Sequence, residues 1–175
     1  MRMRLTQTMQ KKLREVRYFL RCLDGVARRE AGDPEDFEFL LSAFLSASVS
    51  ITDALDSRKY RTWFDGWRQG RTAREQDLLE FVRIQRNLEV HRDGAQTEIC
   101  IRYVPLTELR TNPQGHPAYG FHWSAPPGTP VPSVGVNVHE FELGGTKVQA
   151  YDTCREVAKL LGELVGAFGT AHPND

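Results

Sequence analysis

From Leu5 to about Glu30, apolar residues recur at Met9, Leu13, Val16, Leu20, Leu23 and Ala27, alternately four and three apart. That spacing draws one face of an amphipathic helix. Gly32-Asp33-Pro34 stops it, and Asp33 is expected to cap the next helix with Pro34 in its first turn. The second helix runs to about Asp56, with Phe37, Leu41, Phe44, Ser48, Ile51 and Leu55 on one face. Its other face is small: Ser42, Ala43, Ser46, Ala47 and Ser50. Small residues let backbones approach closely, so this helix is expected at the centre, contacted on two sides. A short segment from Tyr60 to about Gln69 carries Trp63, Phe64 and Trp67 beside Arg61, Arg68 and Arg71, and Gly70 ends it. Aromatics at this spacing predict a helix pinned by its aromatic face; the competing reading is base stacking. A long amphipathic helix follows from Thr72 to Val90, with Leu78, Phe81, Ile84 and Leu88 as its stripe and Leu79 and Val82 beside it.

The pattern changes after Asp93. Thr97 to Val104 alternates and is rich in β-branched residues, so it reads as a strand. Seven of the nine prolines fall within residues 105–145, which predicts a long irregular loop from Pro105 to Ser133. Val134, Val136 and Val138 alternate, and Gly144-Gly145 then turns the chain into a second short strand, a hairpin signal. Helical spacing returns from Tyr151 to Phe168. The expected fold is mainly α, with a small β-hairpin or β-sheet insertion before the last helix. One domain spans residues 1–175, its helical core at about 5–93 and 151–169 and its insertion at about 97–150.

Composition adds little to this picture and charge adds more. The chain has 175 residues, 40% of them hydrophobic and 26% charged, an ordinary globular balance. Lys and Arg number 23, as do Asp and Glu, so a globally basic nucleic-acid binder is not indicated. The charge is nevertheless uneven. Residues 1–30 hold nine cations against three acids, residues 33–56 six acids and no cation, and residues 58–74 six cations against one acid. Either the first two helices are neighbours that offset each other, or a local basic patch surrounds a phosphate site. Cys22, Cys100 and Cys154 are odd in number and far apart, which argues against a disulfide framework and suits a reducing compartment. The N-terminus lacks a signal-type apolar run and no stretch reads as a membrane span, so a cytoplasmic location is expected.

The most specific feature is Arg86-Asn87-x-x-x-His91, which closes the fourth helix. Residues five apart on a helix are rotated by about 140°, so Arg86 and His91 do not share a face, whereas Asn87 and His91 do. His91 at a helix C-terminus is favoured as a cation by the helix dipole, and this alone explains a histidine there. Alternatively the helix end faces a cleft, which Arg86 reaches by its length or across a symmetric dimer. Arg83 and Arg92 are weaker, substrate-binding candidates.

Asp77, Leu79, Phe81, Arg86, Asn87 and His91, with the Phe39 to Ser48 helix before them and the Tyr60 to Phe64 aromatic run, resemble the HEPN superfamily. The resemblance covers about residues 5–93 and the last helix. It implies a four-helix up-and-down bundle, a homodimer, and a metal-independent ribonuclease site where two Arg/His motifs meet, with no cofactor. Carried over, the catalytic residues are Arg86, Asn87 and His91. The residue types suit that chemistry. RNA supplies its own 2′-hydroxyl nucleophile, histidine exchanges protons near neutrality, and arginine clamps phosphate. A toxin or defence effector is the expected setting, and any antitoxin partner stays open. Members regulated by nucleotidyltransferase antitoxins carry x-Tyr after the histidine; Arg92-Asp93 stands here, so that regulation is not expected.

The alternative is a non-catalytic dimerisation or ligand-binding module, in which Arg86 is tied to Glu80, Glu89 or Asp93. His116, His122 and His139 match no compact ligand spacing, so no metal is expected. No phosphate-binding glycine loop and no Gly-x-Ser-x-Gly elbow occurs.

Overall fold

A computed structural model describes residues 4–27, 34–91, 97–105, 133–143 and 145–175. The chain is mainly helical, with five helices and one three-stranded antiparallel sheet: α1 Leu5–Ala27, α2 Pro34–Leu55, α3 Arg61–Gln69, α4 Ala73–His91, β1 Glu98–Pro105, β2 Ser133–Leu143, β3 Thr146–Gln149 and α5 Ala150–Ala171. The helices start and stop within a few residues of the apolar periodicity. The expected Asp33 cap and the proline-rich loop lie outside the described residues.

The four long helices form a bundle in which α1 packs on α2 and α5, and α4 packs on the same two. α2 therefore touches α1, α4 and α5, as its small residues predict. Its stripe is sealed: Phe37, Leu41, Phe44, Ile51 and Leu55 are buried. Ser48 sits among them and donates its hydroxyl to the Phe44 carbonyl at 2.8 Å, which satisfies a polar group in an apolar place. Among the described residues, Glu35–Leu55 is the one helical stretch long and apolar enough to cross a membrane by length and composition, a test that a buried core helix also passes. Phe37, Leu41, Phe44, Leu45, Ile51 and Leu55 of that stretch lie in the core, while Phe39 is 66% exposed.

α3 is pinned by its aromatics. Phe64 is buried and stacks with Trp67 at 6.4 Å, and Trp63 meets Phe168 of α5 edge-on at 5.3 Å. Tyr60, just before α3, meets Phe168 edge-on at 5.1 Å. These rings are spent on packing, where such pairs add about 0.5–1.5 kcal/mol beyond burial. Base stacking on them has no support.

The sheet order is β1-β2-β3. β1 pairs with β2 from Glu98↔Glu140 to Pro105↔Ser133, and β2 returns to β3 through a two-residue turn closed by Leu143↔Thr146. Gly145 in that turn has φ +77°, a conformation glycine reaches without Cβ strain. The sheet sits against one end of the bundle. Phe141 of β2 meets Phe81 of α4 at 4.8 Å, and His139 stacks on Phe37 at the start of α2.

Candidate functional site

The helix that carries the motif is started by a reciprocal cap. The Thr72 backbone N–H and hydroxyl both donate to a Glu75 carboxylate oxygen at 2.8 Å, and the Glu75 N–H donates back to the Thr72 hydroxyl at 3.3 Å. The Thr72-x-x-Glu75 spacing is the signature of a capping box, a signal present in the sequence that apolar periodicity alone passes over. The two hydrogen bonds from Thr72 hold the Glu75 carboxyl below its ordinary value of 4.5.

Leu78, Leu79, Phe81 and Val82 are buried and anchor the middle of α4. Ile84 is not: it is 47% exposed, so the expected apolar stripe is not buried at this position, and the side chain of Leu88 lies outside the described residues. The reason is rotation. Ile84 lies about 160° around the helix from Val82, on the side turned from α2 and α5.

The motif residues are placed as follows. Arg86 is half-buried and Asn87 is exposed. His91 closes the helix as its last residue, and its side chain lies outside the described residues. On the helix backbone, positions 84, 87 and 91 share one face, being three and four residues apart, and position 86 lies on another. Asn87 and position 91 are thus brought together beside exposed Ile84, and one protomer does not bring position 86 to that face. Arg92 lies outside the described residues.

Arg86 differs from the other arginines near it. Arg71 pairs with Glu163 at 3.1 Å, Arg74 with Glu156 at 3.2 Å and Arg83 with Glu80 at 2.6 Å. Arg86 has no carboxylate partner among the described residues. The expected alternative pairing with Glu80 is not present, because Glu80 binds Arg83; Glu89 and Asp93 cannot be compared, their side chains lying outside the described residues. Beside Arg86, the Gln85 side-chain oxygen is shielded from solvent with no hydrogen-bond partner.

Arg83, a substrate-binding candidate, faces a different feature. A groove of about 140 Å³ opens between the end of α2, α3 and α4, lined among others by Asp53, Asp56, Arg61, Phe64, Leu79 and Arg83. Its charges are largely internal, with Arg61 3.6 Å from Asp56 and Arg83 held by Glu80. Neither Arg86 nor Asn87 lines it.

The basic run at 58–74 is also neutralised locally. Lys59 pairs with Asp175, Arg61 with Asp56, Arg71 with Glu163 and Arg74 with Glu156. The Asp175 carboxylate raises the Lys59 ammonium above its ordinary value, and the reverse bond lowers Asp175. Of the expected loop histidines, His139 is buried, and its Nδ1 lies 3.1 Å from the Thr97 hydroxyl. His116 and His122 lie outside the described residues. Among the described residues no cluster of three or more His, Cys, Asp or Glu side chains could hold a metal ion.

No family model matches the chain, and neither a curated protein nor a solved structure matches it.

Proposed function

We propose that this protein is a metal-independent endoribonuclease of the HEPN type, acting as a homodimer on RNA, in the setting of a toxin or defence effector. The observation that carries the reading is Arg86. It is a half-buried arginine with no carboxylate partner among the described residues, on a helix whose other arginines, Arg74 and Arg83, are both paired. Arginine stays charged, and burying an unpaired charge is costly. A phosphodiester is a partner that would repay that cost with two parallel hydrogen bonds.

In this reading the ring of four long helices is the up-and-down HEPN bundle, and the face of positions 84, 87 and 91 meets its copy across a two-fold axis. Exposed Ile84 supplies apolar contact there. Position 86 lies off that face in both protomers, so in this reading Arg86 reaches the seam by the length of its side chain. The 2′-hydroxyl of RNA attacks the adjacent phosphorus as a histidine takes its proton. The 5′-oxygen leaves with a proton from the second histidine, giving a 2′,3′-cyclic phosphate and a 5′-hydroxyl. Arg86 stabilises the charge on the phosphoryl oxygens, and Asn87 orients His91 or the phosphate.

The test is incubation of the full chain with RNA in EDTA. Cleavage to cyclic-phosphate ends that falls by about 10²-fold or more in His91→Ala supports the reading, since acid–base help is typically worth that much. No cleavage by the wild type, or unchanged cleavage by the variant, overturns it and leaves the non-catalytic dimerisation module.

A further inference from the structure

The solvent face of α1 is a strongly charged surface that the motif does not use. Its exposed positions carry Lys11, Arg14, Arg17, Arg21 and Tyr18, with glutamine or glycine at the rest and no carboxylate. The two acids of α1 lie off this face. Glu15 is half-buried and accepts from Lys12 at 2.7 Å, and Asp24 is half-buried. Lys11, Arg14, Arg17 and Arg21 make no ion pair among the described residues. This contrasts with residues 58–74, where four of six cations are paired.

We propose that this face of α1 binds the sugar–phosphate backbone of single-stranded RNA. The four cations from Lys11 to Arg21 span about 15 Å along the helix, Arg17 at the edge of the row with its guanidinium beside Gly162 of α5. Such a row suits successive phosphates, and three of the four are guanidiniums, which grip phosphate bidentately. Tyr18 is 54% exposed in the middle of the row, where an unstacked base can lie on its ring. A nucleic-acid strand is the occupant that uses both features at once, phosphates on the cations and a base on the ring. The main helix neighbours of α1 are α2 and α5, not α4. The face therefore holds a stretch of strand away from the motif and acts as an anchoring surface. The inference rests on the ribonuclease reading only for the choice of RNA as the polymer.

The experiment measures binding of a fluorescent 20-nucleotide single-stranded RNA to the full chain carrying His91→Ala, so that no strand is cut, across a range of salt. Lys11→Gln/Arg14→Gln/Arg21→Gln is expected to weaken binding by about 10- to 100-fold near 0.1 M salt. The slope of log affinity against log salt should become shallower by about 2, because each neutralised phosphate of a single strand contributes about 0.7 to it. Arg14→Lys/Arg21→Lys should keep the wild-type slope, and Tyr18→Ala should weaken binding without changing it. Unchanged affinity and slope in the triple variant overturn the inference. So does a triple variant that keeps RNA binding but loses binding to phosphatidylserine vesicles or to polyglutamate. Wild-type protein that fails to cut RNA, while the triple variant still loses RNA affinity, removes the ribonuclease reading and leaves this surface standing.

Discussion

The imidazole of His139 in β2 lies face to face with the ring of Phe37 at the start of α2, their centroids 3.8 Å apart and their planes within 12°. This stack joins the sheet to the bundle. Burial lowers the His139 pKa below its ordinary value of 6.5, because the charged imidazolium is the form that loses water. The unfolded chain therefore binds this proton more readily than the folded one. The contribution to stability is complete above pH 6.5 and is lost as the pH falls through the lowered folded value. Urea unfolding should show the wild type losing stability between about pH 7.5 and 5.5, and His139→Phe should lose less across the same interval. Equal losses would mean that His139 is not the titrating group.

Glu75, capped by Thr72, titrates in a separate window. The capping box holds the Glu75 carboxylate below 4.5, so its contribution is present above that value and fades as the pH falls below it. Thr72→Ala removes the cap hydroxyl and should destabilise the protein by about 1 kcal/mol near neutral pH, the usual cost of losing an N-cap. The variant should keep most of the acid-limb dependence attributable to Glu75, because the backbone N–H of residue 72 still donates to its carboxylate and is the larger cause of the lowered pKa. Chemical unfolding at about pH 7 and about pH 4 measures both.

Arg86 is expected to be dispensable for folding and needed for activity. Arg86→Ala breaks no ion pair among the described residues, so its unfolding free energy should stay within about 0.5 kcal/mol of wild type. RNA cleavage should fall by about 10²- to 10³-fold, the range for losing one donor to a developing oxyanion. Arg86→Lys keeps the charge but loses the planar fork, and should recover only part of the rate. A stability loss well beyond about 1 kcal/mol would place Arg86 in a structural role.

Ile84 and Phe168 separate surface from core. Phe168 is fully buried among Tyr60, Trp63 and His172, with ring centroids at 5.1, 5.3 and 4.6 Å. Phe168→Ala should cost about 3–5 kcal/mol, from the forfeited transfer energy and the cavity left behind. Ile84→Glu should leave the fold intact by circular dichroism and, if the face of positions 84, 87 and 91 lies at the two-fold axis, convert a dimer to a monomer in sedimentation. A wild-type monomer at micromolar concentration, or an Ile84→Glu dimer, would remove that interface.

The helices were legible in the sequence because each must hide a stripe, and the spacing of Met9, Leu13 and Val16 or of Phe37, Leu41 and Phe44 allows no other element. The turn at Gly145 was legible for a similar local reason, as was the angular separation of positions 86 and 91, which follows from helix pitch alone. The Thr72-x-x-Glu75 cap was there to be read, since both partners sit within one turn.

What no local pattern holds is which side of a helix meets a neighbour where its polarity is mixed. Ile84 looked like the continuation of a stripe, yet the direction from which α2 and α5 approach left it in water. The sequence left open whether the cations of α1 meet the acids of α2, and Lys11, Arg14 and Arg21 stand on the solvent side of the helix. The pairing of β1 with β2 and the burial of His139 on Phe37 join residues far apart in the chain. Such contacts are chosen by how the bundle closes, so they belong to the tertiary structure, while the chain's own periodicity determines the elements that close it.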